Sequence, residues 1–141
     1  MNRSLRISLV FLAFCLLALP LIACGSTRQD STNIIGRWRI ISYVTDDGQS
    51  APVENELDMI FYSTGIGEAQ VDGATQYMFD YKLKAGKLLR VITRGGQTDE
   101  VSEPYQLSKD GTTLTVYSPE DCATITMQKI TSDVKIPIDF N

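Results

Sequence analysis

An all-β fold, either a closed antiparallel up-and-down β-barrel of about eight strands or a β-sandwich, is predicted by three features of the chain beyond residue 33. Apolar and polar residues alternate with period two through about eight short segments, a turn signal ends nearly every one, and no stretch carries the 3.6-residue apolar repeat of an amphipathic helix. The segments recur at intervals of roughly ten residues, as in a meander. Of the two architectures the barrel is favoured, because closure leaves no exposed strand edge.

The first strand is expected over residues 34–44, with Trp38, Ile40, Ser42 and Val44 on one face and Arg37, Arg39, Ile41 and Tyr43 on the other; Asp46-Asp47-Gly48 ends it. After a loop through Pro52, Leu57, Met59 and Phe61 alternate with Asp58, Ile60 and Tyr62 until Ser63-Thr64-Gly65 breaks the run. Residues 67–72, with Ala69 and Val71, form a weaker third strand before Gly73. The fourth has one greasy and one wet face: Tyr77, Phe79, Tyr81 and Leu83 point one way and Met78, Asp80, Lys82 and Lys84 the other, up to the turn Ala85-Gly86-Lys87. A fifth strand covers residues 88–93 and stops at Arg94-Gly95-Gly96. In a sixth, residues 101–107, Pro104 lacks an amide donor and marks an edge or a bulge. Beyond the turn Lys109-Asp110-Gly111, Leu114 and Val116 define a seventh strand, and Ala123, Ile125 and Met127 an eighth, separated by Ser118-Pro119-Glu120-Asp121. Val134, Ile136 and Ile138 make a short apolar tail.

The amino terminus has the anatomy of an export signal: Arg3 and Arg6 are a positive leader, residues 7–19 an apolar stretch, and Ala23 the small residue a signal peptidase needs. The run Leu21-Ile22-Ala23-Cys24 resembles the lipobox of bacterial lipoproteins. That resemblance implies removal of residues 1–23, attachment of a diacylglycerol to the thiol of Cys24 and acylation of the new amino terminus. Acyl chains contribute about 0.8 kcal/mol per buried methylene, so several of them anchor a protein to a bilayer almost permanently. Gly25, rather than an aspartate, follows the cysteine. In a double-membraned host this pattern implies the outer membrane, facing the periplasm. Residues 24–33 are polar and read as a flexible tether, leaving 34–141 as the folded domain.

Loss of Arg3 and Arg6 with the leader takes the net charge from −4 to about −6. No stretch combines clustered Lys and Arg with aromatic residues, which argues against a nucleic-acid partner. Of three cysteines, Cys15 leaves with the leader and Cys24 is the lipidation site, so Cys122 stands alone and the domain must rest on a hydrophobic core rather than a disulfide.

Gly36-Arg37-Trp38 at the start of the first strand is similar to the Gly-X-Trp signature of lipocalins, and the run from Leu107-Ser108-Lys109-Asp110-Gly111 to Leu114-Thr115-Val116 resembles the late-strand pattern of short bacterial lipocalin-like domains. The similarity spans roughly residues 34–130. It implies an up-and-down barrel with a closed end at Trp38 and an interior that holds a small apolar or amphipathic molecule. Lipocalins also place a late-strand arginine across that tryptophan; Lys129 is the cation available here.

The chain contains no histidine, so neither a Ser-His-Asp relay nor an imidazole metal site can be built. Asp46 with Asp47, and Asp99 with Glu100 and Glu103, lie in loops or polar flanks and read as solvated charge rather than acid–base pairs. Gly65-Ile66-Gly67 lacks the following Lys-Ser/Thr of a phosphate loop. No enzymatic activity, metal or cofactor is indicated. Two roles remain. In one, Trp38, Met59, Phe61, Tyr77, Phe79 and Tyr81 line a hollow barrel that carries a ligand in the cell envelope. In the other, the same residues fill the barrel, as eight short strands permit, and an outer surface marked by Tyr43, Ile60 and Tyr62 contacts another envelope protein.

Overall fold

The computed structural model describes residues 34–137; the leader, Cys24, the tether and the tail from residue 138 lie outside the described residues. The described residues form nine strands: β1 (Gly36–Thr45), β2 (Ser50–Ala51), β3 (Leu57–Phe61), β4 (Ile66–Val71), β5 (Ala74–Lys84), β6 (Lys87–Arg94), β7 (Gln97–Leu107), β8 (Thr113–Ser118) and β9 (Ala123–Thr131). From β3 onward each strand pairs antiparallel with the next, β1 pairs with β3, and β9 returns to β1. The result is a closed eight-stranded up-and-down barrel, with β2 added beside the far end of β1 through Tyr43 opposite Ala51 and Val44 opposite Ser50. Closure, not a sandwich, resolves the two expected architectures.

Tight hairpins explain the simple topology. Asp72-Gly73, Ala85-Gly86 and Gly95-Gly96 each place two successive residues at positive φ, the type I′ geometry whose twist matches that of the flanking strands. Gly36, at φ 140°, lets β1 start against the end of β9: a Cβ there would lie 2.5 Å from the carbonyl oxygen of Thr131.

Two features of the strands shape the interior. In β1, Ile40 lies opposite Met127 but Ser42 lies opposite Thr126, so Ile41 is an inserted, bulged residue. One extra residue reverses every side chain beyond it. Tyr43 therefore stands opposite the inward Ile125 and turns into the barrel with Thr45, while Ser42 and Val44 turn out, the reverse of the faces expected for them. Ile41 itself is left 51 % exposed.

The second feature is Pro104. The amide of Tyr105 donates to the carbonyl of Gly86 on the β6 side at 3.1 Å, so by alternation the nitrogen of Pro104 faces β8. The β7–β8 ladder runs from Leu107 to Tyr105 and stops there. Residues 97–104 continue along β6 alone. Pro104 is thus an edge residue toward β8 only, within a strand that begins four residues earlier than expected. The earlier start corrects the reading of Asp99 and Glu100 as loop or flanking charges, and burial corrects that of Glu103 as solvated. All three are paired strand residues, and Glu103 is 1 % exposed.

The core occupies the end of the barrel where β1 begins. Ile34, Trp38, Phe61, Leu88 and Leu114 are essentially inaccessible there, with Phe79 and Met127 packed beside them. The other end carries the long loop 46–56 and the turns at 72–73, 95–96 and 119–122.

Candidate ligand-binding site in the barrel mouth

The closed end is filled by side chains whose polar atoms are satisfied within the fold. Trp38 donates Nε1–H to the carbonyl of Ile34 at 2.8 Å, and the Lys129 ammonium sits 4.7 Å from the indole centroid, within cation–π range. Phe61 meets Phe79 and Tyr81 edge-on, at 5.8 and 5.0 Å between centroids. The Tyr81 hydroxyl donates to the carbonyl of Tyr62 at 2.7 Å, and burial raises its pKa. The Phe79 ring lies so close over Gly67 that a Cβ at that position would fall within it. An inward-facing glycine on β4 is what makes room for this ring.

Toward the loop end Ile40, Val101, Val116 and Ile125 take the inward positions that aromatic rings hold at the closed end, and the interior opens into a cavity of about 510 Å³. Its apolar wall includes Ile40, Met59, Ile92, Val101, Val116 and Ile125, contributed by β1, β3, β6, β7, β8 and β9. The volume lies within the range of small-molecule sites, roughly 300–1,000 Å³. A second hollow of about 460 Å³ lies beneath the loop 46–56, between Tyr43, Leu57 and residues 51–55; Ile40 lines both.

Within the cavity wall is an ion pair. Arg90 donates Nε–H and Nη2–H to the two carboxylate oxygens of Glu103, each at 2.8 Å, and its guanidinium lies 5.6 Å from the Phe79 centroid. The side chains are 12 % and 2 % exposed. Bidentate geometry satisfies most of the polar atoms of both, which is what allows charges to sit inside a barrel. Nearer the rim, Arg94 lies 4.0 Å over the face of Tyr77, with Asp99, Glu120 and Asp121 on the same cavity wall. Asp121 accepts a hydrogen bond from Ser118 at 3.0 Å.

Of the six residues expected to line a ligand site, Met59 and Tyr77 border this cavity, whereas Trp38, Phe61, Phe79 and Tyr81 pack in the closed end. Sequence reading gave Arg90 no role, placed Arg94 in a turn and took Glu103 for solvated charge, whereas all three line the cavity. Their phase carried the signal: Arg90 and Arg94 alternate in step with Leu88 and Ile92, and Glu103 in step with Val101 and Tyr105, so the pleat that buries the apolar residues turns these inward too.

The outer face of β1, β3 and β4 carries a separate polar network. Arg37 and Arg39 both donate to Asp58, and Arg39 also reaches Glu56. Burial works to raise the pKa of Asp58, but the hydrogen bonds from Arg39 and Arg37 outweigh it and hold the carboxyl below its ordinary value. Glu68 is likewise held low, against burial, by donors from Gln70, Thr75 and Tyr62, the last at 2.7 Å. Tyr62 and Ile60 are 4 % and 6 % exposed and Tyr43 faces inward, so none of the three forms the open surface expected of it. Among the described residues, no group of three or more acidic or cysteine side chains is arranged to hold a metal ion. Comparison of the chain with protein-family models, curated proteins and solved structures finds no significant match to any of them.

Proposed function

We propose that this chain is a lipid-anchored protein of the cell envelope, tethered to a membrane through Cys24, whose lipocalin-like barrel carries a small amphipathic molecule. The observation that supports the reading best is the division of the barrel interior: a packed, hydrogen-bonded floor around Trp38 and, above it, a cavity of about 510 Å³ with apolar walls and charged groups at defined places. A barrel of eight strands has room for one small ligand when its inward side chains are short on one level. The alternative, a filled barrel acting as an interaction module for another envelope protein, has less support, since Tyr43 turns inward and Ile60 and Tyr62 are covered.

Among the described residues the buried core runs from Ile34 to Met127. Native mass spectrometry of residues 26–141, purified gently from a bacterial periplasm, tests the carrier reading directly. A stoichiometric passenger of lipid-like mass is expected, and an empty domain that also ignores apolar probes would refute it. For the anchor, Cys24→Ser is expected to leave a folded but unprocessed or mislocalised precursor. Mature-length mutant protein still on the membrane would defeat the lipidation claim.

A further inference from the structure

We infer that the carried molecule is a cationic amphiphile, such as a long-chain amine or quaternary ammonium compound, held with its apolar body in the cavity and its positive head at the rim. The inference rests on the carrier reading and adds to it the charge of the ligand. Two independent features of the cavity lead to it.

The first is an aromatic face that already holds a cation. At the mouth, Tyr77 presents its ring to the guanidinium of Arg94 at 4.0 Å, the arrangement that attracts ammonium groups to aromatic rings. Arg94 makes no ion pair among the described residues, and as an exposed side chain at the end of β6 it can swing into solvent. A ligand ammonium of similar charge can then take its place over the ring.

The second is the sign of the cavity wall. Two guanidiniums, Arg90 and Arg94, stand against four carboxylates, Asp99, Glu103, Glu120 and Asp121. Arg90 and Glu103 neutralise each other in their bidentate pair, so the deeper wall is polar but uncharged. A buried anion there would face the carboxylate of Glu103 with no spare cation to balance it, which rules against an inward-pointing acid head. What remains at the rim is one displaceable cation and three exposed carboxylates, a net negative charge that draws positive charge to the opening.

The test is calorimetric titration of residues 26–141 at low salt with decyltrimethylammonium, decyl maltoside and decanoate, each below its micelle concentration. The cationic compound is expected to bind tightest and the anionic one weakest. Asp99→Asn with Glu120→Gln should weaken the cationic compound roughly 3- to 10-fold while leaving the maltoside unmoved, with the difference shrinking in added salt. Arg94→Gln should tighten the cationic compound and not the maltoside, because it removes the resident competitor. Decanoate binding as tightly as the ammonium, or an Arg94→Gln variant that loses the ammonium, would overturn the proposal and leave the carrier reading standing. If none of the three compounds binds, the carrier reading fails, and this one with it.

Discussion

The two ends of the barrel are built from the same alternating strands and differ in what their inward side chains do. At the closed end Trp38, Phe61, Phe79 and Tyr81 are large, meet edge to face, and have their polar atoms tied to backbone carbonyls. At the mouth, Ile40, Val101 and Val116 are smaller, and the polar groups include charges: Arg90 pairs with Glu103, Arg94 lies over Tyr77 and Asp121 accepts from Ser118. Period-two alternation selects which residues turn inward; their volume decides whether the space between them closes. One end therefore holds the fold together and the other is free to hold something else.

Perturbations of the two ends should separate stability from binding. The largest loss is expected for Trp38→Ala, about 3–5 kcal/mol in denaturant unfolding, since the indole is fully buried and its N–H is satisfied only by this geometry. A loss below about 1 kcal/mol would mean that the closed end is not the packed half.

Next comes the ion pair that lies between the two ends. Glu103→Leu alone should cost about 3 kcal/mol, the lower end for breaking a buried pair, because the cavity gives the stranded Arg90 some access to water. Adding Arg90→Met should recover most of that loss. A double variant no more stable than the single one would show that the charges support the fold in a way pairing does not describe.

Gly67→Ala should cost about 1–3 kcal/mol by forcing the Phe79 ring off β4. Its effect on ligand binding should be small, as Phe79 belongs to the floor. A variant that unfolds normally and loses the ligand would reverse that assignment.

The outer network sets an acid limit. Asp58 and Glu68 have folded pKa values held below their ordinary range, so their contribution is present above the unfolded carboxylate values, about 3.9 and 4.3, and is lost as pH falls through the folded ones. Melting temperature should therefore drop steeply below about pH 4, and Asp58→Asn should flatten that limb. An unchanged limb in the variant would remove Asp58 from the account. The smallest effect is expected at the β1 bulge. Ile41→Ser should change stability by no more than about 0.5 kcal/mol, whereas Tyr43→Ser, inward by the shifted register, should cost more.

How far the chain could be read in advance follows from the same physics. The eight barrel strands, their turns and the burial of Trp38, Phe61 and Phe79 were legible because alternation and turn chemistry are local, whereas the two-residue β2 read as part of a loop. The bulge at Ile41 was not, since an inserted residue leaves no mark in β1 and appears only when β1 is laid against β9. The mouth was hidden for a different reason. Arg90 and Glu103 carry the inward phase of their strands, but a charged residue in a polar stretch reads as solvated until its partner on the neighbouring strand is known. Phe61, Phe79 and Tyr81, chosen for size and aromaticity as ligand contacts, have the volume that fills a barrel instead.

The hollow mouth is tested most directly by titrating a neutral fluorescent probe, N-phenyl-1-naphthylamine, into residues 26–141 and into the Ile125→Trp variant, whose added ring projects into the cavity. The expected result is one-to-one binding by the parent domain and none by the variant, with the variant's unfolding midpoint close to that of the parent. A parent that binds no probe, or a variant that binds it equally well, would contradict a carrier built on this cavity.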